Sequence, residues 1–477
     1  MNMRTLSSPS HMRTRRMADD GNTVQGGAQR VRLGIESHWW ALAVLFLYYS
    51  FTYVDRSLAS VLVPEIKRTI HLSDTAVGMI LGAIPTGAFA LASLPAGLAA
   101  DRWPRKWIIG AGVALFSVAT VLLGLSDGAW EIMAARALGA IGEAAILPAA
   151  YSFLADSFPR RRVGTAIAFF SMGAKAGVAT SLALAGAVLV FAQDIVARGH
   201  GFGLFAWQIE FLIFAGPMLL CLLLILTLKE PPRQRMAVFG EQKGSELVAY
   251  LKSQRRLLLL LIGGFAAVCF CGFSLGSWIP AYLSRRFAMQ PQEYGPILAL
   301  LSVVSGLTLM VKGMLIDWLY IRGVKDAYVR LYTWLLAGSL PIVWTMFLVD
   351  NKWLFLVMLG LVQIVTIPFI SYASTTFQVI APGNIRARIT SAALIIFAIA
   401  GGLGTSSVGA MNDLLFGGDA GLGSSLGLSV AIMMPTALIL LRLALKPLHA
   451  AVAQAERLNE TPPGEAAQPT GGREGDV

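Results

Sequence analysis

The chain has 477 residues, 56% of them hydrophobic and only 14% charged, with a mean hydropathy of +0.66. Soluble domains carry about a quarter charged residues, so a water-soluble globule is excluded and lipid must be part of the solvent. The net charge of +11 admits a nucleic-acid partner only if the basic residues form a patch, and their positions exclude that.

Residues 1–36 are polar and Arg-rich. They lack the apolar core and small-residue cleavage site of a secretory signal, and read as a cytoplasmic tail. A window of about 19 residues then finds apolar stretches at 39–62, 75–99, 107–126, 130–155, 163–191 and 207–228. After the charged interval 229–256 come 257–283, 294–319, 328–349, 353–379, 389–411 and 422–446. Numbered spans 1 to 12, each can cross a hydrocarbon core roughly 30 Å thick at about 1.5 Å per residue. The stretch 450–477, ending in NETPPGEAAQPTGGREGDV, has the composition of a disordered tail. The expected architecture is an all-α membrane protein of 12 transmembrane helices. Two six-helix bundles, 37–228 and 257–449, are joined by a cytoplasmic linker, 229–256, and flanked by cytoplasmic tails.

The basic residues fix an expected orientation. Arg102, Arg105 and Lys106 follow span 2; Arg160, Arg161 and Arg162 follow span 4. Arg322, Lys325 and Arg330 follow span 8, Arg386 and Arg388 follow span 10, and the linker and first tail are also basic. About 28 of the 38 Lys and Arg thus fall on one side and about six on the other, which the positive-inside rule assigns to cytoplasm and exterior. The chain is therefore expected in the cell inner membrane with both termini cytoplasmic. Cys221, Cys269 and Cys271 lie in apolar runs without metal-ligand spacing, and the five histidines are scattered. No nucleophile–base set or phosphate loop is present either, so neither a cofactor nor an enzyme activity is expected.

The two halves echo each other. LPAGLAADRW (94–103) follows span 2 and VKGMLIDWLY (311–320) closes span 8, each placing Gly four residues before Asp: Gly97 with Asp101, Gly313 with Asp317. SFPRRRVGTA (157–166) and IAPGNIRARITSA (380–392) form a looser second echo. Duplicated halves are a habit of secondary transporters. The run Gly97, Asp101, Arg102, Arg105, Lys106 resembles the signature loop of the major facilitator superfamily, G-x-x-x-D-R-x-x-R-K. Gly97 permits close helix approach, and Asp101 can pair with an arginine or a helix N-terminus. The resemblance implies a latch on the inner side; the second copy, with Trp318 in place of the arginine, makes a weaker one.

Six ionisable residues interrupt the spans: Asp55, Arg56, Arg136, Glu143, Lys175 and Lys312. Each costs roughly 2.5–3.5 kcal/mol at a helix centre and needs a partner or a wet cavity. Arg136 and Glu143, seven residues apart on span 4, share a face about 10 Å apart along the axis. Two arrangements are open. Arg136 bridges Asp55 and Glu143 in a proton-sensitive network, or a static network ties spans 1 and 4. Lys175, between Gly173 and Gly177, either reaches toward the span 4 carboxylates or contacts an anionic substrate. Lys312 is expected to snorkel to the interface.

FTYVDR (51–56) and RALGAIGEAAILPAAYSFLADSFP (136–159) resemble the spinster-like carriers of the same superfamily, and in spans 1 and 4 the anion:cation symporters. The resemblance implies proton coupling at Asp55 and Glu143, with Arg136 pairing a carboxylate or substrate. It also places spans 1, 4, 7 and 10 around a central cavity. Arg56, Arg136 and Lys175 then form a charged wall. Ser274, Ser277, Trp278, Tyr282, Gln363, Ser371, Tyr372, Thr375 and Gln378 offer a neutral one; Trp278 and Tyr282 also suit an outer aromatic belt. Three cations against two carboxylates favour an anionic substrate. The implied function is proton-coupled alternating access for a small organic anion or anionic amphiphile. The alternative is a spinster-like carrier of lysolipids or related amphiphiles without strict coupling. Expected partners are that substrate, protons and membrane lipids, with no nucleic acid, the chain acting as a monomer.

Overall fold

The computed structural model describes residues 27–159, 162–232, 244–324, 326–366, 369–381 and 385–460. Helices dominate them because a chain in lipid must satisfy its backbone hydrogen bonds internally. Span 1 is Gly27–Val61, span 3 Arg105–Gly124, span 4 Ala129–Ser157, span 5 Val163–Ala197 and span 6 Ala206–Leu226. Span 2 runs through Asp74–Gly78, a π turn Met79–Ala83 and Ile84–Arg102. Span 7 is Arg255–Phe287, span 8 Pro291–Ile321 and span 9 Ala327–Met346. Span 10 comprises Lys352–Thr366 and Phe369–Ile380. Span 11, Arg386–Met411, ends in a π turn Asn412–Phe416, and span 12 is Leu422–Glu460. Nine helices among the described residues are long and apolar enough to cross a membrane alone. Each apolar window coincides with helix to within a few residues, but the tail boundaries shift. Helix begins at Gly27, before residue 36, and continues past 450 to Glu460. A further helix, Gly244–Ser253, lies within the linker.

Spans 1–6 pack together, with span 3 on spans 4 and 6 and span 1 on span 5; spans 7–12 form the second half, with span 7 on spans 11 and 12. Glycines set the tightest crossings. A Cβ on Gly112 of span 3 would stand 2.7 Å from the Gly142 carbonyl of span 4.

The halves meet toward the face away from the linker, called the distal face here; the linker side is the terminal face. Span 2 touches span 11, span 5 touches span 8, and span 1 touches span 7. Backbone lies on backbone: a Cβ on Gly82 would strike the Gly402 carbonyl, and one on Gly295 the Leu182 carbonyl. Ser406 donates to the Gly78 carbonyl at 2.8 Å, and Tyr294 to the Val61 carbonyl at 3.2 Å. Asp74, in the first turn of span 2, is bound by both Nη atoms of Arg285 from span 7, each at 2.7 Å, and by Asn412. Lys67 bridges Asp74 and Asp419 at 3.1 and 2.9 Å. Asp413 accepts from the backbone N–H of Asp74 and Thr75. Toward the terminal face the halves part: Cβ positions at Gly87 and Gly97 point into open space, and Leu94 and Leu98 are exposed.

Candidate functional site

A cavity of about 480 Å³ lies between the halves. Span 1 contributes Tyr53, Arg56, Ser57 and Ser60, span 4 Arg136, and span 5 Lys175. The facing wall holds Phe273 and Ser277 of span 7, Phe369 and Ile370 of span 10, and Thr405 of span 11. One wall is therefore charged and the other neutral and largely apolar.

The intramembrane charges form two separate pairs. Arg136 Nη1 donates to Asp55 Oδ2 at 2.7 Å, with both side chains buried; Thr120 Oγ1 donates to Asp55 Oδ1 at 3.2 Å. Arg56 Nη2 meets Glu143 Oε2 at 3.2 Å, and its guanidinium lies 5.7 Å from the centre of the Tyr53 ring. Arg136 thus does not bridge the two carboxylates; Arg56, one residue from Asp55 and turned about 100° around the helix, takes Glu143. Both pairs, with Thr120 and Gly139, line a side chamber of about 20 Å³, room for one water.

Lys175 does not join them. Gly173 and Gly177, four residues apart, press one face of span 5 onto span 1: a Cβ at Gly173 would stand 2.9 Å from the Phe46 carbonyl. Two residues from each glycine, Lys175 lies on the other face. It is exposed to the cavity, without an ion-pair partner among the described residues.

The neutral wall differs from the expected one. Trp278 is fully buried and donates to the Thr405 carbonyl at 2.9 Å. Tyr282 is buried among Phe287, Phe347 and Phe355. Tyr372 is buried on the Tyr332 ring, and Ser274 is buried too. Gln363 is half-buried and does not line the cavity. Of the expected neutral set, Ser277 lines the cavity; the Ser371 side chain lies outside the described residues. The rings that do line it, Phe273 and Phe369, carried no sequence signal, because an apolar residue in an apolar span is unmarked.

In the signature loop, Arg105 is the buried centre. It binds Asp156, Glu230 Oε1 at 3.0 Å, Ser152 and the Pro231 carbonyl, tying spans 3, 4 and 6 together. Lys106 donates to the Leu226 carbonyl, and Arg102 is exposed. Gly97 and Gly313 face open space instead of a neighbouring helix; Asp317 is exposed. The Asp101 side chain, Arg160, Arg161, Lys325 and the Arg386 side chain lie outside the described residues. Lys312 does not snorkel: it is buried and donates to the Ile364 carbonyl of span 10.

Two helical halves with a cavity between them that is charged on one wall, sealed at one face and parted at the other, define a membrane transporter. The chain belongs to the Major Facilitator Superfamily, whose profile matches residues 45–405. It is similar to an MFS-type efflux pump of Mycolicibacterium smegmatis, 27% identical over 408 residues, covering 84% of this chain and 91% of that one. It is also similar to the cis,cis-muconate transport protein of Acinetobacter baylyi, 25% identical over 277 residues, 56% and 63% of the two chains. Among solved structures, a bacterial homologue of the human lysosomal transporter spinster, inward-facing and unoccupied, matches with a TM-score of 0.73. That match has 23% identity and covers 90% of this chain and 99% of the other. At that identity it speaks to the fold, and it supports the twelve-helix bundle.

Proposed function

We propose that this transporter carries an organic anion or anionic amphiphile by alternating access, coupled to protons, and that its terminal face is cytoplasmic. The structure is then inward-facing. One observation carries the reading: Arg136 and Arg56, paired with Asp55 and Glu143, line a cavity that also holds Lys175. A proton on either carboxylate frees a guanidinium for the substrate, so proton and anion occupancy become linked. The signature loop, splayed here at Gly97 and Gly313, closes the inner face in the opposite state.

The test is uptake of cis,cis-muconate, the compound that one relative is named for, into proteoliposomes under an imposed pH gradient. Asp55→Asn and Glu143→Gln should each cut gradient-driven uptake by about tenfold or more while sparing counterflow. Unchanged pH dependence in both variants removes the coupling role. The apolar wall of Phe273, Phe369 and Ile370 favours a second reading, a lysolipid-type amphiphile moved without strict coupling. Flux of a lysolipid that persists without a pH gradient supports it.

A further inference from the structure

Three cations, Arg56, Arg136 and Lys175, line the main cavity, and two carboxylates, Asp55 and Glu143, line the side chamber that the two arginines also border. Their charges are not interchangeable. Each arginine is already spent on a carboxylate, and Asp55 is held further by Thr120. Lys175 alone presents a charge to the cavity that nothing among the described residues neutralises. Among the described residues the facing wall adds no charge: it presents the hydroxyls of Ser277 and Thr405 and the apolar side chains of Phe273, Phe369 and Ile370. Tyr53, against Arg56 and 3.5 Å from Tyr49, is the further titratable side chain on the charged wall.

An entering anion therefore meets one available cation. A second negative charge on the same ligand finds none until Asp55 or Glu143 takes a proton and releases its arginine. Uncompensated charge is costly where water is excluded, so the occupied site settles at neutrality. We propose that Lys175 reads the valence of the substrate and thereby sets the proton count. It binds the first anionic group unaided, and each further negative charge draws one proton onto the carboxylate pairs. This rests on the reading of the cavity as an anion site, and it joins the two functional readings. A monoanionic amphiphile binds without a proton, and a dicarboxylate binds with one.

The experiment is calorimetric titration of the full-length protein in two buffers of different ionisation enthalpy, which reports protons taken up per ligand. The probes are matched pairs: hexanoate with hexanedioate, decanoate with decanedioate, benzoate with phthalate. Wild type should take up about zero protons with the monocarboxylates and about one with the dicarboxylates. Lys175→Gln should weaken monocarboxylates by about tenfold or more and raise their proton count to about one; Lys175→Arg should restore both values. A simple packing role moves affinity without moving the count. Equal proton counts within each wild-type pair, which need no variant, overturn the proposal and leave the anion carrier standing. So does Lys175→Gln that binds like wild type. If no probe binds wild type, the anion reading fails and this inference falls with it.

Discussion

The molecule holds two buried charge clusters that look alike and sit in different mechanical settings. Asp55–Arg136 and Glu143–Arg56 join span 1 to span 4, inside one half. The Asp74 cluster joins the short helix Val63–Ile70 and span 2 to spans 7 and 11, across the boundary between halves. When the halves rock as bodies, the first cluster can travel intact. The second must break. On the proposed mechanism, the cavity pairs sense what is bound and the distal cluster holds a conformation. Similar chemistry does different tasks because of which bodies it connects.

The largest effect is expected where that cluster loses its anion. Asp74→Asn leaves Arg285 and Lys67 with only the exposed Asp419 as a shared carboxylate, and removing one partner from a buried pair costs about 3–5 kcal/mol. Spin-label distances across the distal face should broaden toward an open state; an unchanged distribution removes the latch role. Asp55→Asn should be smaller and of another kind. Arg136 stays buried beside a neutral amide, so the thermal midpoint falls while distal-face distances hold, and movement of those distances erases the contrast. Smallest is Arg286→Gln. Its partner Asp350 is largely exposed, and such pairs are worth about 0.2–1 kcal/mol, so transport and melting should stay within error.

Much of this was legible in the chain because lipid makes polarity conspicuous. The twelve windows and the charges on spans 1, 4 and 5 stand out against an apolar background, whereas the burial of Arg105 in the signature loop does not. The pairing did not. The expected bridge put Arg136 on both carboxylates, and only the rotation of span 1 brings Arg56 to Glu143 instead. Trp278 and Tyr282 looked like cavity residues by their span, yet a helix has faces, and theirs turn toward spans 11 and 12 and the rings of span 9. Asp74 and Arg285 drew no notice in the sequence, since nothing in a linear chain marks residues 211 apart as partners.

The distal seam of Gly78, Gly82, Gly186, Gly295 and Gly402 has an electrical consequence. A seal built from interlocking side chains leaves crevices that fluctuate and admit files of water. Here main chain rests on main chain at each of these glycines. An energised membrane loses its stored voltage through any conducting leak, and a carrier present in many copies must act as an insulator between turnovers. A bulky residue at Gly82 or Gly295 would hold the seam ajar and turn an insulated machine into a slow short circuit.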